Sequence, residues 1–515
     1  MRNGVILYLV DAMFGNRFWF PLFETLYRSE NYRFDAVCFH RHQREAFRDI
    51  PACREVFPEP ELVQGYAALP GHYDAELAAW ASALEQELDC LIVDLIQADR
   101  HLGIGFQPAG LNNPMTENRR RASYWRTLRY LRLLDARVDA ILDKSQPSVI
   151  VTSVVADLYS KLICAKGRRR GIPVRMFNSL QVGSTYGWYH DEFWNHPPLK
   201  ALLRRKIEAA PQTQADGVSG ADTRPVAAAQ REPIYATHYL SSLTKGLRRR
   251  EVLRSLLREA KVALGRLKTP RPDRPGFLES ARLQLRIRRQ YDELSRRVRR
   301  QGDRLPERFV LFALHKEPEA STMVKAPEFN HQLAIIDLVA RSLPAGFLLL
   351  VKESMVSLGY RSEGFYETLA AYPNVRLAMP DLRASDLLDQ AAGAVVITGT
   401  VGLEAARLGL PVFSFGTRNN YDVLDHVHVV GDLRDLRKLL HRELLEVTPG
   451  ERARRAALGS LYDESAGEIG LDIGEFFEAN RRSKAPVPQP VIEACLAALR
   501  RSLAEADAPL RRAVS

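Results

Sequence analysis

The stretch from Val310 to Gly416 constrains this chain more than any other. Three of its pieces share one layout: VLFALHKEPEAST (310–322), LLLVKES (348–354) and AVVITGTVGLEAARLGLPVFSFG (394–416). Each opens with an apolar run of strand length and ends it in polar residues, ahead of a segment that reads as a helix. Repeated strand–loop–helix units build open parallel α/β sheets, and such sheets bind ligands outside the carboxyl ends of their strands. In the third piece Val395, Val396 and Ile397 read as a buried strand. Thr398, Gly399, Thr400 and Gly402 then form a small-residue turn that lets backbone N–H groups approach a ligand. The helix beginning near Val401 favours a phosphate at its N-terminus through free N–H groups and the macrodipole. Glu404, one turn in, can reach a ribose hydroxyl or cap the helix. Taken alone, this piece also fits a plain βαβ turn with capping threonines, since its spacing is neither GxGxxG nor a P-loop.

Together the pieces resemble a known family. The matching features are the Pro-Glu-Ala-Ser-Thr run of Pro318–Thr322, the Val-Lys-Glu of Val351–Glu353 and the Thr-Gly-Thr-x-Gly-x-Glu-Ala of Thr398–Ala405. A Pro-Val-x-x-Phe-Gly strand at Pro411–Gly416 and then Tyr421 follow. These resemble the C-terminal half of the bacterial capsule polysaccharide biosynthesis glycosyltransferases, which include the Kdo transferases. The resemblance covers residues 306–440 well and the N-terminal part only loosely. It implies the GT-B architecture: an α/β protein of two facing Rossmann-like domains, the C-terminal one holding the sugar nucleotide and the cleft holding the acceptor. It favours CMP-Kdo as donor, with a UDP- or GDP-sugar as the close variant, and a surface polysaccharide or lipid-linked acceptor. Many relatives read Lys-Glu-His-Pro where this chain reads Lys-Glu-Ser-Met (Lys352–Met355), so one histidine contact to phosphate is missing.

The donor side draws on these loops. His315, Ser321 and Thr322 end or follow the first strand, and the hydroxyls can meet phosphate oxygens or cap the next helix. Glu319, inside the resembling run, is the preferred catalytic carboxylate of this loop. Lys352 and Glu353 follow a five-residue apolar strand, where a cation can balance a leaving phosphate. Thr398, Gly399 and Thr400 complete the cradle, with Glu404 beside it. On the acceptor side, the loop 97–106 follows an expected strand Cys90–Ile96. There Asp99 and His101 are candidate catalytic groups and Arg100 a candidate holder of an anionic sugar, while a plain polar loop is the alternative. Thr152, Ser153 and Asp157 are read as capping groups. The aromatic run 178–198, with Tyr186 and Trp188, fits either a sugar-stacking surface or an aromatic core. His190 and His196 lack a metal-like partner set, so no metal and no cofactor are expected.

Length and charge bound the rest. A chain of 515 residues suits two or three domains. The expected division is 1–205 (acceptor domain), 206–305 (linker and basic helical insert), 306–449 (nucleotide-sugar domain) and 450–515 (helical tail). Within the tail, Pro490–Ala504 reads as a helix returning to the first domain. The five cysteines form no CxxC pair, which suits a reduced, cytoplasmic protein. No run approaches the roughly 20 apolar residues of a membrane span. Asp11 interrupts GVILYLV, so Val5–Val10 reads as a first strand instead of a signal peptide. The net charge is +11, and residues 246–305 alone hold 19 Lys/Arg against 7 Asp/Glu. Two helical parts are expected there, 241–267 and 277–300, parted by a Pro-rich break. A basic amphipathic hairpin suits a peripheral contact with an anionic inner-membrane surface through 241–300, or an inert hairpin packed on its neighbour. Nucleic acid is disfavoured because few aromatic rings interleave with the arginines. Two further classes compete with the transferase: a sugar-nucleotide epimerase of the same architecture, and a non-catalytic scaffold of an export complex.

Overall fold

The computed structural model describes residues 4–10, 16–38, 44–47, 49–58, 66–99, 123–210, 277–302, 304–317, 319–474, 476 and 487–504. Arg100, His101, Pro318, residues 211–232 of the expected 209–232 linker and the first basic helix 241–267 lie outside them.

Along the N-terminal half the elements are β1 (Val5–Leu9), α1 (Asn16–Glu30), β2 (Arg33–Cys38), β3 (Cys53–Pro58), α2 (Ala75–Leu88), α3 (Ile92–Gln97), α4 (Tyr124–Ser145), β4 (Val149–Thr152), α5 (Leu158–Arg169), β5 (Val174–Ser179), β6 (Thr185–Tyr189) and α6 (Pro197–Ala209). There follow α7 (Phe277–Gln301), β7 (Phe309–Ala313), α8 (Ala320–Lys325), α9 (Gln332–Ser342), β8 (Leu348–Lys352), α10 (Phe365–Ala370), β9 (Val375–Ala378), α11 (Ala384–Leu388), β10 (Gly393–Val396), α12 (Thr400–Arg407), β11 (Val412–Ser414), β12 (Val427–Val429) and α13 (Leu436–Leu445). The chain ends with α14 (Pro449–Ile469), β13 (Leu471–Asp472) and α15 (Gln489–Ala504).

These residues form two compact units. Unit 1 holds those of 1–102, 122–199 and 466–515, and unit 2 those of 200–465. The sheet of unit 1 runs β13-β6-β5-β4-β1-β2-β3. Its strands β1 to β5 pair in parallel, and β6 and β13 add an antiparallel edge. The sheet of unit 2 runs β12-β11-β10-β7-β8-β9, all parallel. Numbered within its own unit, each parallel set follows the doubly wound order 3-2-1-4-5, and unit 2 continues it to 6. The expected α/β class with two Rossmann-like units is therefore what the strand order shows. Among the described residues, no helix is long and apolar enough to cross a membrane.

The Cys90–Ile96 expectation is corrected: the segment is not a strand, and Ile92–Gln97 forms α3. Ile92, Leu95 and Ile96 are its buried side chains, the i, i+3, i+4 spacing of a helix face. A short apolar run bears either reading, and here the polar Asp94 sits on the less buried face. Strands β3, β6 and β13 carry no clear signal of their own. β3 is a partly exposed edge strand with Arg54 and Glu55 in its middle, and β13 is two residues long.

The core of unit 1 is aromatic. Phe23 stacks on Phe34 with centroids 4.4 Å apart, Phe18 on Phe177 at 5.0 Å, and Trp19 meets Trp188 edge-on at 6.1 Å. Helix α15 closes this core against α1 and β6, and the Trp188 indole N–H donates to the Cys495 carbonyl at 3.0 Å. At one border of the sheet Asp35, fully buried, accepts from Arg54 Nε at 3.0 Å and from the Ser145 hydroxyl at 2.6 Å, which ties β2 to the end of α4.

Candidate functional site

In unit 2 the chain winds from β7 through β8 to β9 on one side, then crosses back to place β10 on the other side of β7. The loops leaving β7 and β10 therefore diverge at a topological switch point, where doubly wound sheets open a crevice. The residues expected on the donor side are the ones these loops carry, together with the loop leaving β8.

The loop after β7 is held by backbone clamps. Leu314 N donates to the Lys352 carbonyl at 2.9 Å, extending the pairing to β8. The Gln332 side chain meets both backbone groups of His315: its Oε1 accepts from His315 N at 2.7 Å and its Nε2 donates to His315 O at 3.1 Å. Arg361 Nη2 donates to the same carbonyl at 2.8 Å. So fixed, the buried His315 ring lies against the β10 turn, and a Cβ built on Gly399 would stand 3.1 Å from its Cε1. A side chain there would press on the imidazole, and glycine avoids this. His315 Nδ1 is 3.6 Å from Glu319 Oε2. Burial opposes the charge on Glu319, but the neighbouring His315, Ser321 and Lys316 outweigh it. Its pKa lies below the ordinary carboxylate value, so Glu319 is an ionised acceptor and no proton donor at neutral pH.

The turn after β10 is pinned from behind. The buried Tyr421 hydroxyl donates to the Gly399 carbonyl at 3.4 Å. Gly399 occupies the N-cap position of α12 with extended backbone and makes no side-chain cap, so the first N–H groups of this eight-residue helix gain no side-chain acceptor from it. The Thr398 hydroxyl beside it is buried and has no hydrogen-bond partner among the described residues. A buried polar atom without a partner costs about 1–3 kcal/mol, a cost a ligand can relieve. Thr400 opens the helix and is partly exposed. Glu404 is buried on the same helix and close enough to Tyr421 to raise, after burial and two other neighbours, that residue's pKa. Gly402 is required sterically, since an added Cβ would overlap the Tyr421 hydroxyl and stand 2.9 Å from Val396 Cγ2. Gly402→Ala is expected to cost about 1–3 kcal/mol of stability by overpacking and to displace the Tyr421–Gly399 contact. A urea melt of the variant with a midpoint equal to the parent's would contradict this packing.

The loop after β8 carries a cation held at the strand end and a buried acid. Lys352 Nζ donates to the Glu353 carbonyl at 3.2 Å and lies 3.5 Å from Pro380 O, which keeps the ammonium at the strand end. Glu353 is 1% exposed and is bound to Arg361 by two contacts, Nε–Oε2 at 2.9 Å and Nη2–Oε1 at 2.8 Å. It also accepts from the Tyr366 hydroxyl at 2.8 Å and from Ser354 N at 2.6 Å. Arg361 Nη1 reaches Glu317 Oε2 at 2.9 Å. Glu353 thus holds Arg361, which joins the ends of β7 and β8. Thr322 is likewise internal: its hydroxyl donates to Glu319 O at 3.2 Å inside α8. The sequence reading missed Arg361 and Gln332, because each is a single polar residue in a stretch with no motif.

Unit 1 offers a contrast. Its own switch point lies between β1 and β4, and α5 follows β4. The N-terminus of α5 is filled by the protein's carboxylates. Asp157 Oδ1 accepts from Ser160 N at 2.7 Å, and Asp99 Oδ2 accepts from Leu158 N at 3.1 Å. Asp99 therefore lies at this sheet edge, after a helix and not after a strand. Tyr186 and Trp188 are 6% and 2% exposed and belong to the aromatic core, where β5 and α15 cover their rings. Among the described residues, no three His, Cys, Asp or Glu side chains gather as a metal site.

No protein-family model and no curated protein matches this chain. Among solved structures it is similar to Anabaena HepE, solved with UDP and glucose, at 10% identity over 93% of this chain and 100% of that one, with a TM-score of 0.29. It is similar to Thermosulfurimonas dismutans KpsC, a beta Kdo 2,4 transferase, at 14% identity over 60% of this chain and 79% of that one, with a TM-score of 0.28. A UDP-N-acetylglucosamine 2-epimerase from Rickettsia bellii is similar at 12% identity over 94% and 99%, with a TM-score of 0.25.

Proposed function

We propose that this protein is a glycosyltransferase that binds a nucleotide sugar at the carboxyl edge of the unit 2 sheet. The supporting observation is the β7/β10 switch point. A helix N-terminus with no side-chain cap, a buried partnerless Thr398 hydroxyl and the His315 ring meet there across Gly399. In unit 1 the corresponding helix end already holds Asp157 and Asp99, which argues for the phosphates in unit 2.

In this reading the bond from the anomeric carbon to phosphate breaks, and negative charge grows on the departing nucleotide. The α12 amides, Thr398, Thr400 and Lys352 stabilise that charge. Glu319, as a carboxylate, accepts from donor hydroxyls. Asp99, one of whose carboxylate oxygens accepts from Leu158 N, is the candidate acceptor base. CMP-Kdo is the favoured donor and a surface polysaccharide or lipid-linked glycan the acceptor, on the resemblance of Pro318–Thr322, Val351–Glu353 and Thr398–Ala405 to the capsule transferases.

The test is a thermal-shift panel of CMP, UDP and GDP nucleotides on the parent, Thr398→Ala, Thr400→Ala and Lys352→Ala. One nucleotide at about 100 times its Kd adds about 2.7 kcal/mol to the parent. The expected result is a rise in Tm with one base only, lost in the variants at unchanged ligand-free Tm. No shift with any nucleotide at millimolar levels overturns the reading. Sugar release from the matching nucleotide sugar that needs no acceptor moves the assignment to an epimerase or hydrolase.

A further inference from the structure

Helix α7 is amphipathic in an unusual sense. One face carries Ile287, Tyr291, Leu294 and Val298 into the unit 2 core, and Leu283 and Ile287 lie against Gly359. The other face is a row of arginines. Arg282, Arg289, Arg296, Arg299 and Arg300 are exposed, and Leu285 stands among them at 62% exposure. The spacing 282, 285, 289, 296, 300 keeps these residues on one side of the helix. Two acids near the row are already engaged: Asp292 with Arg288 at 3.0 Å and Glu293 with Arg297 at 3.3 Å. Arg289 has a 3.6 Å contact with the fully solvated Glu363. The other four exposed arginines have no carboxylate within ion-pair distance among the described residues.

We propose that this arginine face of α7 is a docking surface for an anionic lipid bilayer. The row lies on one side of the helix and is about 27 Å long at the helical rise of about 1.5 Å per residue, which suits a flat partner. The guanidinium groups complement phosphate headgroups, and Leu285 projects where an apolar side chain can enter the headgroup–acyl boundary. No ring is exposed along the row for base stacking, which a single-stranded nucleic acid would need. The anchored face leaves the β7/β10 edge unused, because α7 packs on β9 and α10. The proposal fits a lipid-linked acceptor, but it stands on the α7 geometry and does not need the donor reading to hold.

The experiment is co-sedimentation of the full-length protein with vesicles of phosphatidylcholine alone or mixed with phosphatidylglycerol. Binding is expected only with phosphatidylglycerol present, and it weakens as salt rises. The triple variant R282E/R289E/R296E is expected to partition about 100-fold less, and Leu285→Ser about 10-fold less, both at unchanged Tm. Charge reversal at Arg28, Arg132 and Arg434, which are also exposed, is the control for net charge and leaves partitioning close to the parent's. The proposal is overturned by equal binding to neutral vesicles, by parent-like binding of the triple variant, or by an equal loss in the control. Displacement of the bound protein by single-stranded DNA or a soluble acidic polysaccharide at matched charge also overturns it, since the face then reads charge alone.

Discussion

Arg361→Met is expected to destabilise unit 2 by about 3–5 kcal/mol, because it leaves carboxylates buried without their cation. Glu353 is 1% exposed, and both of its oxygens face the guanidinium. Glu317 and the His315 carbonyl lose their partner at the same time. Arg361→Lys is expected to rescue little, since one ammonium cannot span Glu353, Glu317 and His315 O as a planar fork does. The double variant Arg361→Met with Glu353→Gln is expected to recover part of the loss, because it removes the stranded charge along with the cation. Urea melts of the two single variants and the double variant close this cycle. Additive losses would show that the two residues do not act as a pair. The proposed donor site should feel the same change. With the β7 loop released, His315 loses one of its two backbone clamps, and nucleotide affinity should fall even for variants still folded at the assay temperature.

Unit 1 is expected to lose stability on mild acidification. Burial pushes the His196 imidazole down to about 4, with Arg175 adding to it, and pushes His190 down to about 3, with Arg175 and His196 adding to it. In the unfolded chain both return to about 6.5. The folded state therefore binds fewer protons below that value. The contribution is intact above pH 6.5 and is lost as pH falls from 6.5 towards 4, where His196 alone accounts for about 3 kcal/mol. The geometry gives the same sign, since His196 Nδ1 accepts from Leu199 N at 3.2 Å and so caps α6 only while unprotonated. His196→Asn retains a capping acceptor but cannot titrate. Its thermal melts between neutral pH and about pH 4 should show a shallower decline than the parent's. Identical slopes for the two proteins would remove His196 from the account.

Much of unit 2 was legible because its signals are local. Phe309–Ala313, Leu348–Lys352 and Gly393–Val396 are apolar runs bounded by polar residues, and buried parallel strands read that way whatever surrounds them. The small-residue turn at Thr398–Gly402 was legible for a similar reason, because close backbone approach demands glycine. Cys90–Ile96 was misread because a seven-residue apolar run fits a strand or a helix equally, and its buried neighbours chose the helix. Glu353 and Thr322 sit in the recognised motifs, yet their polar atoms are engaged inside the protein. A motif marks a loop, but it does not say which of the loop's side chains turn inward. The aromatic run around Tyr186 and Trp188 fitted both a surface and a core. Its place was settled by β5 beside it and by α15, which reaches it from about 300 positions further along the chain.

The sequence by itself determined the strands β7, β8 and β10 of unit 2, where their polar ends fall and the small-residue turn that follows β10. All of these depend on residues within a few positions of one another. Only the tertiary structure decided that β10 lies beside β7, so that His315 meets Gly399, and that Arg361 joins His315, Glu317 and Glu353. Strand order and buried charge pairing are set by hydrogen bonds and desolvation between residues far apart in the chain, and no local pattern encodes them.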